Sequence, residues 1–449
     1  MSENKGPRKI DRIKSGVLSR GLSLARLGIG TGAQLAGRGI AQLWENKDFR
    51  DEKWKAFFSE QARRFSREMG ELKGSLMKAG QMLSMYGEHF FPPEVNQFLK
   101  SLQHESPPVR WPAMRATLVK ELGEAKLAEL EIEEDSLASA SMGQVHRARI
   151  RATGEQIVLK IQYPGVDKAV DSDLRAIRGF LNMMQVFPKD FNADPIFDEL
   201  REMLQQETDY RLEADLTERY AAELQGDERY VVPRVFRDYS TGKVLALSFE
   251  AGVRVDDPLV QSLSAGRRHR LAENYLDLYF LEIFRWSLVQ TDPHAGNYRV
   301  RLRPDGRDQL VLLDFGATRP YGEKFMGPYR RMIKASVLGD LKKFHRAARD
   351  LSFLQENDDP ALEKLFEEFC FMIVEPFREN GFDWKNTDLP QRTSRKVLEI
   401  LRGFAWRTPP REVLFLDRKT GGVFIMMSLL GAKIQGRDLI LRYLSEIGD

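Results

Sequence analysis

Two short stretches decide the fold, Gln290-Thr291-Asp292-Pro293-His294-Ala295-Gly296-Asn297 and Leu312-Leu313-Asp314-Phe315-Gly316. The first places Asp292 five positions before Asn297, and the second places Asp314 directly before Phe-Gly. In protein-kinase catalytic loops, an aspartate so spaced orients the nucleophile, whereas the asparagine and the aspartate of D-F-G hold Mg²⁺. Carboxylate and amide oxygens suit that metal. The pattern predicts catalytic Asp292 and the metal ligands Asn297 and Asp314.

Upstream, a lysine follows an apolar run where a kinase fold needs one. Lys160 comes directly after Ile157-Val158-Leu159, and lysine is rarely buried without a partner. In kinases this strand lysine pairs with the α- and β-phosphates of ATP and with a helix glutamate. We therefore predict that Lys160 is catalytic and binds ATP. Three carboxylates follow on a helical stretch, and their spacing does not choose among them: Glu207, Asp209 and Glu213.

A run of small residues precedes that lysine. The kinase glycine-rich loop reads G-x-G-x-x-G-x-V; here alanine replaces the first two glycines, while Gly143 and Val145 keep their places. Small side chains let backbone N–H groups approach phosphate oxygens, and alanine has less conformational freedom than glycine. We predict a stiff ATP-binding loop formed by Ala138, Ser139, Ala140, Ser141, Gly143 and Val145.

The order of predicted elements extends this interpretation to the whole chain. Apolar periodicity predicts one helix through residues 58–83, a helical stretch at 197–224 and a long helix at 267–289. Alternation predicts strands at 231–236 and 243–249 and hairpins at 145–150/156–162 and 300–303/309–314. The predicted class is α+β, a two-lobed protein-kinase-like fold with a helical N-terminal extension. Its predicted divisions are residues 1–50, 51–125, 126–250 and 251–449.

Composition limits the classes of partner. The chain has 449 residues, of which 69 are basic and 66 acidic, so it lacks the strong basic field of a dedicated nucleic-acid binder. Residues 1–50 nevertheless hold ten Lys/Arg against four Asp/Glu, which suits an anionic membrane surface or a solvated terminus. No run is long and apolar enough to span a membrane. The single cysteine, Cys370, suits a reducing compartment, and we expect a cytoplasmic protein, peripheral at a membrane at most.

Taken together, these motifs resemble the UbiB family, also called ADCK, of atypical kinase-like proteins. The resemblance spans roughly residues 12–340 and includes Lys78-Ala79-Gly80-Gln81, similar to the family's K-x-G-Q signature, and Leu102-Gln103, similar to its second glutamine motif. Glu207-Thr208-Asp209 resembles the E-x-D motif, which implies that Glu213 is the glutamate pairing with the strand lysine. The resemblance implies regulatory roles near the active site for Lys78, Gln81, Gln103, Glu207 and Asp209.

By the same resemblance, the cofactors are ATP and Mg²⁺, and the function is ATP hydrolysis or phosphorylation of a small molecule or lipid, in ubiquinone or other lipid metabolism. A lipid or quinone-like molecule is then a partner, and the oligomeric state stays open. Ser139, His104 and Ala295 depart from the family pattern and weaken transfer of the ubiquinone role. The alternatives are a nucleotide-binding scaffold without turnover, for a membrane-associated complex, and a true protein kinase, which the extension argues against.

Overall fold

A computed structural model of the chain describes residues 52–69, 74–87, 91, 93–102, 109–184, 186–187, 192–403 and 411–448. Two compact units emerge. The first unit comprises the described residues up to Asp215 together with Arg234–Phe249, and the second comprises Leu216–Pro233 together with the described residues from Glu250 onwards. The basic segment 1–50 lies outside the described residues.

The first unit combines several helices with one four-stranded antiparallel sheet. The helices are α1 (Glu52–Met69), α2 (Ser75–Gly87), α3 (Pro93–Ser101), α4 (Trp111–Ala128), α5 (Val166–Met183), α6 (Asp194–Glu207) and α7 (Tyr210–Glu223), which begins in this unit. The strands are β1 (Leu130–Ser139), β2 (Gly143–Ile150), β3 (Gln156–Gln162) and, after β4 (Tyr230–Val231) of the second unit, β5 (Val244–Ser248). Their order is β1-β2-β3-β5, with antiparallel neighbours.

The core of this sheet follows from strand alternation. Ile157, Leu159 and Ile161 of β3 are fully buried, as expected where successive side chains point to opposite faces. The first turns of α7 pack Tyr210 and Ala214 against the buried leucines of β5. The central strand β3 is thereby held between its neighbours, β2 and β5.

The second unit is mostly helical, with short strands around both motif loops. The helices are α8 (Pro258–Gln261), α9 (Ala265–Phe280), α10 (Glu323–Leu338), α11 (Leu341–Asp350), α12 (Pro360–Ile373), α13 (Leu389–Gly403), α14 (Arg411–Leu430) and α15 (Gly436–Leu444). The strands besides β4 are β6 (Leu288–Gln290), β7 (Tyr298–Arg301), β8 (Gln309–Leu312), β9 (Thr318–Pro320), β10 (Phe382–Asp383) and β11 (Lys433–Ile434). Strand β8 pairs with β4 and β7, β6 pairs with β9, and β10 pairs with β11.

Both predicted hairpins are confirmed, but the single helix at 58–83 is wrong. Helix α1 ends at Met69 and α2 begins at Ser75. Gly74 lies between them with φ +94°, and a Cβ there would approach Val166 Cγ2 to 2.2 Å. Only glycine combines that left-handed backbone with so close a neighbour.

Three further elements differ from their predictions. The helical stretch 197–224 divides into α6 and α7 at Thr208 and Asp209. The helix predicted at 267–289 ends in a π-helical turn, Leu281–Trp286, after which Ser287, at φ 48°, leads into β6. Of the strand predicted at 231–236, only Val231 belongs to a strand, β4, while Val235 forms an isolated bridge with Leu247. Pro233 has no N–H for a continuous ladder.

Candidate functional site

The strand lysine makes a largely buried ion pair in the first unit. Lys160 Nζ lies 2.7 Å and 2.9 Å from the two carboxylate oxygens of Glu213. The side chains are 15% and 3% exposed, and the ammonium group lies 5.2 Å from the centre of the Tyr210 ring. Lys160 pairs with Val145 on one side and Leu245 on the other. The neighbouring strands fix the backbone of Lys160, and the two bonds to Glu213 hold its ammonium group.

The helix break at residues 208–209 gives each of the three candidate carboxylates a different position. Asp209 Oδ1 accepts the N–H groups of Arg211 at 3.1 Å and Leu212 at 3.4 Å, so Asp209 caps the start of α7. Glu213 then falls in the first turn of α7. Glu207 ends α6 and pairs instead with Lys78, at 2.8 Å. The structure thus brings Glu213, and neither of the other two, to Lys160.

The K-x-G-Q residues lie on α2 of the same unit. The Lys78 and Glu207 side chains are 7% and 12% exposed. Gln81 is half-buried one turn further along the helix. At Gly80, a Cβ would stand 2.8 Å from Leu102 Cβ, so the glycine permits close packing of α2 beside the end of α3. Gln103, the remaining predicted regulatory residue, lies outside the described residues.

The small-residue loop is shorter than predicted. Ala138 and Ser139 belong to β1 and pair with Val145 and Gln144 of β2, so the turn comprises residues 140–142, including Ser141. Ala140 N–H donates to the carbonyl of Gly143 at 2.9 Å. The ladder therefore uses backbone groups that the prediction assigned to a phosphate-binding loop.

Gly143 lies at the crowded start of β2. A Cβ there would stand 2.3 Å from the Ile161 carbonyl oxygen and 2.9 Å from the Tyr210 hydroxyl, so the close strand approach requires glycine. Nearby, burial raises the pKa of Tyr163 to about 12, and a hydrogen bond with Ser139 opposes that rise. Ser139, whose hydroxyl departs from the family pattern, thus has a hydrogen-bond partner within the protein.

In the second unit, hydrogen bonds hold both ends of the loop that contains Asp292. Thr291 Oγ1 donates to the carbonyl of Ala317 at 2.7 Å, and the Asn297 side-chain NH₂ donates to the carbonyl of Asp292 at 2.9 Å. Gly296 N–H donates to His294 Nδ1 at 3.0 Å, so this histidine shapes the turn. The bond from Asn297 uses its amide nitrogen, which makes the amide oxygen the atom suited to a metal ion.

The Asp314 loop is bonded directly to the Asp292 loop. Leu313 N–H donates to the Asn297 carbonyl at 2.9 Å, and Asp314 Oδ1 accepts the N–H of Gly316 at 2.9 Å. Phe315 is buried, with its ring centre 4.8 Å from that of Tyr220. The amide oxygen of Asn297 and the carboxylate of Asp314 therefore lie on adjacent loops, and both are the hard oxygen ligands that Mg²⁺ prefers.

Sequence reasoning missed the contribution of α14, which it assigned only to a helical remainder. Arg418 of α14 pairs with Asp292 at 2.5 Å, and Lys419 pairs with Glu282 at 2.7 Å. No motif marks these residues. The available signal was a pair of adjacent cations followed closely by a Gly-Gly dipeptide at 421–422.

Comparison with known proteins identifies relatives over most of the chain. Residues 101–348 match the ABC1 atypical kinase-like domain. "Atypical kinase COQ8, mitochondrial" of Saccharomyces cerevisiae is 28% identical over 96% of this chain and 85% of its own length. "Atypical kinase COQ8B, mitochondrial" of Danio rerio is 31% identical over 85% of this chain and 60% of its own length.

A solved structure from Mycobacterium tuberculosis, described as a complex of Rv3197 with erythromycin, matches with a TM-score of 0.58 and 25% identity. The match covers 87% of this chain and 97% of that one. The α+β, kinase-like fold predicted from the sequence is thereby confirmed. Among the described residues, no helix is both long and apolar enough to cross a membrane.

Proposed function

Because the chain belongs to the ABC1 atypical kinase-like family, also called UbiB or ADCK, we propose that it binds Mg²⁺-ATP and hydrolyses it or transfers its γ-phosphoryl group to a small molecule or lipid. The observation that carries this proposal is the Lys160–Glu213 pair, with Nζ 2.7 Å from the carboxylate. A lysine held by a buried glutamate offers a fixed positive charge, which is what the phosphates of ATP require.

In the proposed function, Lys160 contacts the α- and β-phosphates. The turn between Ala138 and Val145 supplies small residues beside the nucleotide. Since this turn is short, fewer of its backbone N–H groups would reach phosphate than in a long glycine-rich loop. Lys160 would then supply a larger share of the phosphate binding.

Asn297 and Asp314 would hold the magnesium ion. Their oxygens fit it, and the bond between their loops keeps the two ligands close. Fewer than three protein ligands is usual for Mg²⁺, which retains waters and binds substrate phosphates. When bound, the metal neutralises charge that develops on the phosphate oxygens.

Asp292 would orient the nucleophile. In hydrolysis, the oxygen of water bonds to the γ-phosphorus while the bond from that phosphorus to the β–γ bridging oxygen breaks. ADP leaves with the electron pair, and Asp292 accepts the proton of the water. With an alcohol as acceptor, its hydroxyl takes the place of the water.

The acceptor class is proposed from the family. Relatives carry the names of COQ8 atypical kinases, and we propose a supporting role in ubiquinone or other lipid metabolism, with a lipid or quinone-like molecule as partner. The names of those relatives place them in mitochondria, whereas we expect this chain in the cytoplasm. The compartment of this chain stays a prediction. The basic segment 1–44 is proposed to bind anionic membranes. Each Lys or Arg near the membrane surface would contribute about 1 kcal/mol of binding free energy.

The helical extension is proposed to regulate the choice of acceptor. Lys78 of α2 is tied to Glu207, two residues before the α7 cap, Asp209, so α2 is anchored next to the helix that bears Glu213. Gln81 and Gln103 are proposed to act with it. We expect little transfer from labelled ATP to generic proteins by the parent chain. Robust transfer would instead favour a protein kinase.

The proposal is tested by phosphate release from Mg²⁺-ATP, with and without vesicles and quinone-like lipids. The parent protein should release phosphate, and Asp292→Asn should lower kcat by roughly 100-fold or more because nothing then accepts the proton. Asp350→Asn, in an exposed ion pair of the same unit, is the matched control and should behave as the parent. ATP binding without release by the parent would favour the alternative, a nucleotide-binding pseudokinase scaffold.

A further inference from the structure

Helix α14 contacts the Asp292 loop although it lies outside residues 101–348, the segment that matches the family domain. Its Arg418 Nη2 lies 2.5 Å from Asp292 Oδ1. The two side chains are 10% and 16% exposed. This guanidinium–carboxylate contact is a charge-assisted hydrogen bond largely sheltered from water, so it constrains both groups more than an exposed surface ion pair would.

The rotation of α14 about its axis is fixed by its neighbouring residues. Lys419 pairs with Glu282 at 2.7 Å, and both side chains are 1% exposed. The hydroxyl of Thr420 lies 2.9 Å from that of Tyr279. Successive helix residues point about 100° apart. With Lys419 and Thr420 held, Arg418 can face only the Asp292 loop.

The distance between α14 and the loop is fixed by a glycine. A Cβ on Gly422 would stand 2.0 Å from Pro293 Cγ, a separation that no side chain tolerates. Gly422 follows Arg418 by four residues and so lies on the same face of the helix. The helix therefore rests directly on the residue after Asp292, with no space between them.

We propose that Arg418 is a positioning residue for Asp292, and that α14 is a required part of the phosphoryl-transfer site. This rests on the proposed function. The guanidinium group fixes one carboxylate oxygen, so that Asp292 meets the nucleophile in a single orientation. Misplacing such a group by about 1 Å costs roughly 100-fold in rate. The affinity for Mg²⁺-ATP should be unaffected, because the proposed ATP and metal contacts belong to Lys160, Asn297 and Asp314.

Steady-state phosphate release tests this by separating kcat from KM. Arg418→Gln should lower kcat by roughly 100-fold and leave the KM for Mg²⁺-ATP within about twofold of the parent value. Arg418→Lys, which restores the charge, should recover at least about tenfold of that loss. Guanidinium at millimolar concentration should partly restore Arg418→Ala. Arg331→Gln, which breaks the exposed pair with Asp350, is the matched control and should retain parental kcat.

A second variant tests the contact of the helix itself. Gly422→Val keeps the arginine at position 418 but forces α14, and Arg418 with it, away from Pro293 and Asp292, so kcat should fall while KM is kept. An unchanged kcat in Arg418→Gln overturns the inference. So does a loss of kcat that neither lysine nor guanidinium restores, because Arg418 would then be structural. If the parent itself releases no phosphate, the proposed function fails, and the inference fails with it.

Discussion

Replacing Lys419 by methionine should destabilise the second unit strongly. The Lys419–Glu282 pair spans 2.7 Å, and each side chain is 1% exposed. Methionine fills similar space but leaves the carboxylate of Glu282 without its cation. Removing one partner of a fully buried ion pair costs about 3 to 5 kcal/mol. For a unit of this size, each kcal/mol lowers Tm by roughly 2 to 4 °C, so the expected loss is roughly 6 to 20 °C.

The assay is thermal unfolding followed by calorimetry, with two comparison proteins. Lys433→Met removes a cation that is 59% exposed from its pair with Asp383 and should cost less than about 1 kcal/mol. In Lys419→Met/Glu282→Met, both charges are gone, and most of the lost stability should return. A fall in Tm for Lys419→Met no larger than that for Lys433→Met would refute the reasoning.

The deficit of Lys419→Met should also depend on pH. Burial raises the pKa of Glu282, and the pair with Lys419 opposes that rise. In Lys419→Met, that cation no longer opposes the effect of burial on the pKa of Glu282. The folded state then binds a proton at Glu282 more tightly than the unfolded state does. A group whose pKa is raised in the folded state contributes stability at low pH, and this contribution is lost as the pH rises through that pKa. The deficit relative to the parent should therefore be smaller at pH 5 than at pH 8.

Two further predictions concern glycine packing and the cysteine. Gly143→Ala should lower stability by about 1 to 3 kcal/mol, because its Cβ would lie 2.3 Å from the Ile161 carbonyl oxygen; Gly179→Ala, in a helix with open space around it, should raise stability by up to about 1 kcal/mol. Equal changes in Tm for Gly143→Ala and Gly179→Ala would contradict both predictions. Burial raises the pKa of the Cys370 thiol, so little thiolate forms at pH 8, and a thiol-reactive disulfide reagent should react slowly until the protein is unfolded. Fast reaction of the folded protein would show that the thiol is accessible.

The sequence allowed a prediction where a feature depends only on residues within one short segment. Asp292, Asn297 and Asp314 lie in loops bounded by short strands, and local spacing alone located those loops. The partner of Lys160 was harder, because three carboxylates lie within seven residues. The choice depends on the break at Asp209, which starts a new helix and turns Glu213 towards the strand. The resemblance to a family selected Glu213 where spacing did not.

Contacts between distant segments could not be predicted. Arg418 lies 126 residues after Asp292, and no local pattern connects the two. The break before α2 likewise depends on Val166, which crowds Gly74 from a different helix. In the small-residue stretch, pairing of β1 with β2 decided that Ala138 and Ser139 are strand residues. Tertiary pairing overrode the local loop signal at that point.

The central claim, that this chain binds ATP through magnesium, is tested most directly by calorimetric titration with ATP. The parent protein should bind one ATP per chain in the presence of Mg²⁺, and binding should weaken sharply when EDTA removes the metal. Asp314→Asn should weaken Mg²⁺-ATP binding at least about tenfold, or about 1.4 kcal/mol, while Asp350→Asn should bind as the parent does. No binding by the parent at millimolar Mg²⁺-ATP, or equal binding with and without metal, would contradict the account.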